Sequence, residues 1–337
     1  MPGEEVELPP KITKQKETEL SLEKLESKQI DISEVVGNET AKRGLIIAAA
    51  GRHNILLHGP PGTGKTMLAK SFLSILPCLK REEVFETTSI HSAGGILKKI
   101  LVIEPPFRSP HHTASYASIV GGGNDPRPGE ATFAHNGVLF LDELPEFDKR
   151  VINALRQPLE DGLIQISRSK GSLTFPAKFI LIATMNPCPC GYYGSDKKEC
   201  VCLPNSIINY KKKISGPIMD RIDMAIEVAS VPHRDLLSKN TSENSLFIKK
   251  SIIRAQKKQV ERNKKLNGDL SSKEIKNNIK LSLEIKEILD KAAKSLNLSG
   301  RSYYKVIKIA RTIADLEDSE EIKKEFLLEA LQYRYKN

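Results

Sequence analysis

The sequence predicts an α/β fold in which buried parallel strands carry a phosphate-binding loop and a helical segment follows. Three stretches point to it. His53 to Thr66, HNILLHGPPGTGKT, runs from an apolar strand, Ile55-Leu56-Leu57, into G-x-x-x-x-G-K-[ST], and KTMLAKSFLSIL then opens a helix that Pro77 closes. Val138 to Leu144, VLFLDEL, is an apolar run ending in two carboxylates. Residues 179 to 186, FILIATMN, form a third such run. Continuous apolar runs of this length suit strands covered on both faces, which parallel sheets are.

The first stretch carries the most chemistry. Gly62 and Gly64 let the backbone turn tightly with successive N–H groups pointing inward, and the helix starting near Lys65 adds its positive end. Lys65 then reaches β/γ-phosphates, and the Thr66 hydroxyl ligates Mg²⁺. The binding set is Gly59, Pro60, Pro61, Gly62, Thr63, Gly64, Lys65, Thr66 and Met67. A chance glycine turn is the alternative, but it explains neither the strand before nor the helix after.

The 337 residues suffice for about two domains. With 39% hydrophobic and 28% charged residues, no apolar run long enough to span a bilayer and no signal-peptide plan at MPGEEVELPP, a cytoplasmic globular protein is expected and a membrane partner is not. Lys+Arg 52 against Asp+Glu 42 gives a net charge of +10, which suits a polyanionic partner. Residues 1–30 hold few large apolar side chains and are expected to be a flexible lead; 31–230 are expected to form the α/β core and 231–337 a helical domain.

Taken in order, DISEVVGNETAKRGLIIAAAG gives an extended lead, a turn at Val36-Gly37-Asn38 and a helix ended by Gly51. Val35 and Val36 would flank an adenine, or else serve as ordinary core contacts. VFETTSI (84–90) reads as a second strand, and His91 to Asn136 as a long irregular tract broken by Pro and Gly. His111 and His112 are adjacent, and adjacent side chains diverge in most backbone conformations, so polar loop contacts or ligand binding are expected there in preference to metal. Asp142 at the end of VLFLDEL would hold the Mg²⁺ hydration shell, and Glu143 would polarise the attacking water.

Asp148 to Gly162 reads as one helix, capped by Asp148 and stopped by Gly162. LIQISRSKGSLTFP (163–176) alternates apolar and polar residues around Lys170-Gly171, a hairpin with Arg168 and Lys170 at its tip. A solvated turn is the plain reading of that tip. Asn186 could orient the water opposite the γ-phosphate. Cys188, Cys190, Cys200 and Cys202 follow as two C-x-C pairs, a set suited to tetrahedral Zn²⁺ or, failing that, free thiols, while Cys78 is expected to be a buried thiol. Arg221 lies between two aspartates, where a local salt bridge is the plain reading. From Lys249 to Lys265 eight basic residues meet one acidic residue, a solvated helix face by default. Helices over Ser302 to Leu316 and Ser319 to Arg334 place apolar residues at 306, 309, 310 and 313 on one face, and Arg301 begins the first of them.

GPPGTGKT, FLDELPEF, ATMNPCPCG, SGPIMDRID and SGRSYYKVIKIARTIADLE, with PFRSPHHTAS, VGGGNDPRPGE and ALRQPLEDG, together resemble the Mg-chelatase-like ComM (YifB) family of AAA+ ATPases. The resemblance runs from about Asp31 to Tyr333. It implies a three-layer αβα AAA+ core with a C-terminal helical lid, working as a hexameric ring with ATP and Mg²⁺ between subunits. It implies Walker A and B roles for Lys65, Thr66, Asp142 and Glu143, sensor 1 at Asn186, an arginine finger at Arg221 acting on the neighbouring subunit and sensor 2 at Arg301. The hairpin matches the pre-sensor-1 insertion that faces the pore in related helicases, which makes Arg168 and Lys170 candidate DNA contacts. Family members usually begin with a Lon-protease-like domain, where this sequence has about thirty residues without that pattern. A DNA motor acting in branch migration and uptake of transforming DNA is the expected function. The alternatives are a chelatase-like motor subunit and an ATP-gated scaffold, since the motor signatures do not separate them.

Overall fold

A computed structural model describes residues 30–122, 127–168, 171–195, 198–232, 234 and 244–335. Nine strands occur among them: β1 (Ile55–His58), β2 (Phe107–Arg108), β3 (Gly121–Gly122), β4 (Arg127–Pro128), β5 (Val138–Leu141), β6 (Leu163–Arg168), β7 (Gly171–Pro176), β8 (Ile180–Met185) and β9 (Met224–Glu227). Five of them form one sheet in the order β2-β5-β8-β1-β9, every neighbour parallel. β3 and β4 make a small antiparallel pair, as do β6 and β7.

The apolar runs of β1, β5 and β8 are buried throughout because alternate residues feed two separate cores. Ile55, Leu57, Val138, Phe140, Ile180 and Ile182 join one cluster with the helices Glu39–Gly51 and Lys65–Ile75. Leu56, Leu139, Leu141, Leu181 and Ala183 join the other with the helix Lys149–Ala154 and Ile218 and Ile222. Helix, sheet and helix are therefore the three layers expected from the sequence. Residues 244–335 are helical, with long helices at Ser245–Asn263, Leu283–Ser295, Gly300–Leu316 and Lys324–Gln332. Val306, Ile309, Ala310 and Ile313 point into the first cluster, so this helical layer is continuous with the helices covering the sheet. The basic run from Lys249 to Lys265 lies on a largely exposed face, where Lys258 pairs with Asp318, Arg262 with Asp315 and Lys265 with Glu274.

Several expectations are corrected. Residues 84–90 are not a strand but part of the helix Arg81–Ala93. Val84, Thr87 and His91 share its buried face at helical spacing, and the Glu83 carboxylate accepts from Lys80 N–H, a cap that outweighs the β-branched composition. The outer strand is instead the two-residue β2. Asp148 to Gly162 is two helices, Lys149–Ala154 and Arg156–Asp161, since Pro158 lacks the N–H that would continue the ladder. Asp148 does cap the first, accepting from Arg150 N–H, and Gly162 ends the second in a left-handed conformation. The lead at Asp31 is a short 3₁₀ turn, Ile32–Glu34, capped by Asp31. Cys78 is exposed. The last two helices begin at Gly300 and Lys324, with ends within a few residues of those expected except at Lys324, where Ser319 and Glu320 instead take their carbonyls to Arg311.

Candidate active site

Parallel strands put their carboxyl ends on one edge, where α/β folds bind ligands. β1, β8 and β5 are adjacent, so the phosphate loop after β1, Asn186 after β8 and Asp142-Glu143 after β5 meet there. Gly62 and Gly64 adopt φ +73 and +88, the turn only glycine makes without strain. Thr63 hydroxyl donates to Pro60 O at 3.0 Å, and Met67 is exposed in the first turn of the helix. Lys65 ammonium donates to Gly59 O at 2.8 Å, Pro60 O at 2.7 Å and Asn186 Oδ1 at 3.1 Å. Burial lowers the Lys65 pKa, while the carboxylates of Asp142 and Glu143 pull the other way. A polyphosphate entering the loop would further favour its charged form.

Thr66 hydroxyl donates to Asp142 Oδ2 at 3.0 Å, which joins the two groups that would share a Mg²⁺ hydration shell. Thr184, which sequence reasoning passed over, completes this corner. Its hydroxyl donates to Asp142 Oδ1 at 2.6 Å and accepts from Glu143 N–H at 2.8 Å. Glu143 sits at φ +56, a strained conformation for a side-chain-bearing residue, with its side chain exposed at the sheet edge. A buried Thr inside an otherwise apolar strand was the available signal.

Around this centre Val35 is buried and Val36 half-buried, on a turn whose Asn38 Oδ1 accepts from Ala229 N–H at 3.1 Å. Val228 N–H donates to His58 O, so the turn is tied through β9's end to the start of the phosphate loop. The adenine-flanking and core-contact readings of Val35 and Val36 therefore share one place. His111 and His112 do not diverge as expected: their rings lie with centroids 4.1 Å apart, and His111 also bonds Thr113 in the loop. Arg168 ends β6, and Lys170 lies outside the described residues.

Arg221 is not paired with its neighbouring aspartates. It binds the Glu160 carboxylate and donates to Pro217 O at 2.9 Å. Its loop is held from three sides. Asn54 donates its amide to Arg221 O at 3.0 Å, Arg301 pairs with Asp220 at 3.4 Å, and half-buried Lys305 donates to Met219 O at 3.1 Å and Ile222 O at 2.6 Å. Arg301 thus lies on the Arg221 loop and is not in contact with the Lys65 cluster. Asn54 and Lys305 were missed as well, because their contacts are to backbone carbonyls distant in sequence.

Cys188, Cys190, Cys200 and Cys202 come together with all four sulfurs within 4.8 Å of one another, the single cluster of metal-ligating type among the described residues. The Tyr192 backbone amide holds Cys190 down to about 6, while Cys200, against the Cys202 backbone amide, is pushed up to about 12 by burial and the Cys190 and Cys188 thiols, and Cys202 is raised as well.

The family model for magnesium chelatase, subunit ChlI, matches residues 31–236, and the model for its C-terminal part matches 242–334. The chain belongs to the Mg-chelatase-like ComM/YifB family. It is 45% identical over 309 residues to YifB of Salmonella typhimurium, covering 90% of this chain and 60% of that one. It is also 45% identical over 307 residues to competence protein ComM of Haemophilus influenzae, again 90% and 60%. Magnesium-chelatase subunit ChlI of Euglena gracilis is 21% identical over 317 residues, 86% and 84% of the two chains. The chain spans about 60% of the length of these YifB and ComM relatives. Among the described residues no helix is long and apolar enough to cross a membrane.

Proposed function

We propose that this protein is an ATP-hydrolysing DNA motor of the cytoplasm that works as a hexameric ring in branch migration during recombination and uptake of transforming DNA. The observation that carries the ATPase half is the Lys65, Thr66, Asp142, Asn186 corner, in which cation, hydroxyl, carboxylate and amide converge at one sheet edge. In this reading Lys65 neutralises the β/γ-phosphates, Thr66 and Asp142 hold Mg²⁺, Glu143 takes the proton of the attacking water and Asn186 orients that water. Arg221 supplies transition-state charge to the neighbouring subunit's nucleotide. Its contact with Glu160 is then a resting pose, left when a partner docks. Arg301 acts as sensor 2 from the helical domain, residues 231–337, after leaving Asp220, while residues 31–230 form the ATPase core and 1–30 lead into it. Zn²⁺ in the four-cysteine cluster is a structural cofactor.

The DNA half is supported by the net charge of +10, by the likeness to a competence protein and by the β6–β7 hairpin, which stands as its own two-stranded sheet beside the core. Arg168 and Lys170 contact phosphates in the ring's pore. Each phosphate contact on duplex DNA contributes about −0.9 to the slope of log affinity against log salt. Replacing both with Ala should flatten that slope by up to about two contacts per engaged subunit and reduce DNA-stimulated ATPase, with basal ATPase retained. Wild-type affinity, slope and stimulation in the double variant would remove the hairpin and favour a chelatase-like motor subunit, the second reading, which the ChlI match supports.

A further inference from the structure

We propose that the four-cysteine cluster is a zinc-held brace of the nucleotide site, so that metal occupancy fixes Asn186 and Pro61 and thereby sets ATP turnover. The proposal rests on reading the Lys65 corner as an ATP site.

The sulfur spacing fits four ligands around one tetrahedral ion. Cys188 Sγ lies 3.4 Å from Cys190 Sγ and 3.7 Å from Cys200 Sγ, and Cys190 Sγ lies 3.6 Å from Cys200 Sγ. Tetrahedral Zn–S bonds of about 2.3 Å give sulfur edges of about 3.8 Å, whereas a disulfide would bring one pair to about 2.05 Å. Backbone N–H groups of Cys190 and Tyr193 donate to Cys202 Sγ at 3.4 Å and Cys188 Sγ at 3.3 Å, as outer partners of thiolate ligands do. All-thiolate ligation selects Zn²⁺ or an iron–sulfur centre among biological metals.

The cluster's placement gives it a role. β8 stops at Met185, and no regular element holds the described residues between Asn186 and the helix Pro204–Lys212. This loop has little core of its own: Val201 and Leu203 are 82% and 72% exposed. Yet Asn186, two residues before Cys188, must keep its amide 3.1 Å from Lys65. Gly191 lies against the phosphate loop itself. At φ +84, a Cβ there would come within 2.7 Å of Pro61 Cδ and 3.0 Å of Pro61 Cγ, so the cysteine loop's backbone rests directly on the Pro61 ring. Metal binding by such a loop is coupled to its ordering, so a structural zinc can hold it where it has no core to do so. The ion therefore anchors one end of Asn186 and backs one wall of the phosphate loop without touching nucleotide. The four cysteines are positioning residues.

The test uses full-length protein with Cys200→Ala and Cys200→His, since imidazole is also a zinc ligand. Metal content is read by elemental analysis, ATP affinity with a fluorescent ATP analogue, turnover by phosphate release and local order by hydrogen exchange. Wild type and Cys200→His should hold about one zinc per chain and turn over within about threefold of each other. Cys200→Ala should lose zinc and at least about tenfold in turnover, which is about 1.4 kcal/mol in the barrier. Its exchange should rise at 59–66 and 186–202 while the helices Ser245–Asn263 and Gly300–Leu316 stay protected. If Cys200→Ala fails to fold, wild type prepared over a range of zinc contents replaces it, and turnover should scale with zinc. Zinc-free protein that binds and hydrolyses ATP like the wild type overturns the brace and leaves the ATP site standing. Zinc-loaded protein that neither binds nor hydrolyses ATP instead overturns the ATP-site reading. Iron with visible absorbance, or wild type without metal, overturns the zinc assignment and the proposal with it.

Discussion

Replacing Thr184 by Val keeps the shape of the side chain and removes one hydroxyl that does two jobs. That hydroxyl donates to Asp142 Oδ1 at 2.6 Å and accepts from Glu143 N–H at 2.8 Å. Hydrogen bonds to a charged group are worth about 1.5–3 kcal/mol, and a buried N–H left unpaired costs about 1–3 kcal/mol. If only the charged bond is felt in the transition state, turnover falls roughly 10- to 100-fold, at about 1.4 kcal/mol per factor of ten. Asp142 would also lose the donor that orients it toward Thr66, so the Mg²⁺ concentration giving half-maximal rate should rise. ATP affinity should change little, because Lys65 and the loop amides are untouched. Steady-state ATPase titrated with Mg²⁺ and with ATP reads these quantities, and Thr184→Ser, which keeps the hydroxyl, should restore most of the rate. A Thr184→Val protein with wild-type turnover and Mg²⁺ dependence would refute the role assigned to this corner.

Further outcomes are expected at neighbouring residues. Lys65→Ala should abolish ATP binding, whereas Glu143→Gln should bind ATP and not hydrolyse it; equal, poor binding by both in a nucleotide titration would undo that division. Mixing Arg221→Ala with Lys65→Ala subunits should restore activity, because one interface then has both groups, an arginine finger being worth roughly 10³ to 10⁵ in rate. Mixtures as inactive as either variant would leave Arg221 as the Glu160 partner seen in the single chain. Burial holds His91 and His135 below the ordinary histidine value, and at His135 the Glu86 carboxylate opposes that desolvation. With folded pKa values below the unfolded one, the unfolded chain binds more protons as pH drops through about 6.5, so stability is full above that range and falls on acidification. The urea midpoint should be lower near pH 5.5 than near pH 7.5, and His135→Gln should narrow the gap; an unchanged gap would locate the pH dependence elsewhere.

The fold was legible where one physical signal dominated. β1, β5 and β8 are apolar apart from His58 and Thr184 because both faces are covered, and that distinguishes them from half-exposed strands. The helix Arg81–Ala93 was not, since its β-branched residues suggested a strand while its stability comes from an N-terminal carboxylate cap and a face buried at helical spacing. The residues of the Gly59–Thr66 loop, the Asp142-Glu143 pair and the four cysteines could be singled out as candidates because residue type and spacing along the chain suffice to pick them out. Thr184, Asn54 and Lys305 were not, because each works through partners 41 to 167 residues away that only the folded sheet brings near. The pairing of Arg301 with Asp220 was hidden for the same reason: 81 residues separate them.

If DNA drives the proposed ATPase, the most direct measurement is ATP turnover with no DNA and with single-stranded, duplex and branched DNA. DNA should raise turnover, most for the structure the motor acts on, and Lys65→Ala should show no turnover under any condition. Turnover by the wild-type protein that is the same with and without every DNA would contradict it.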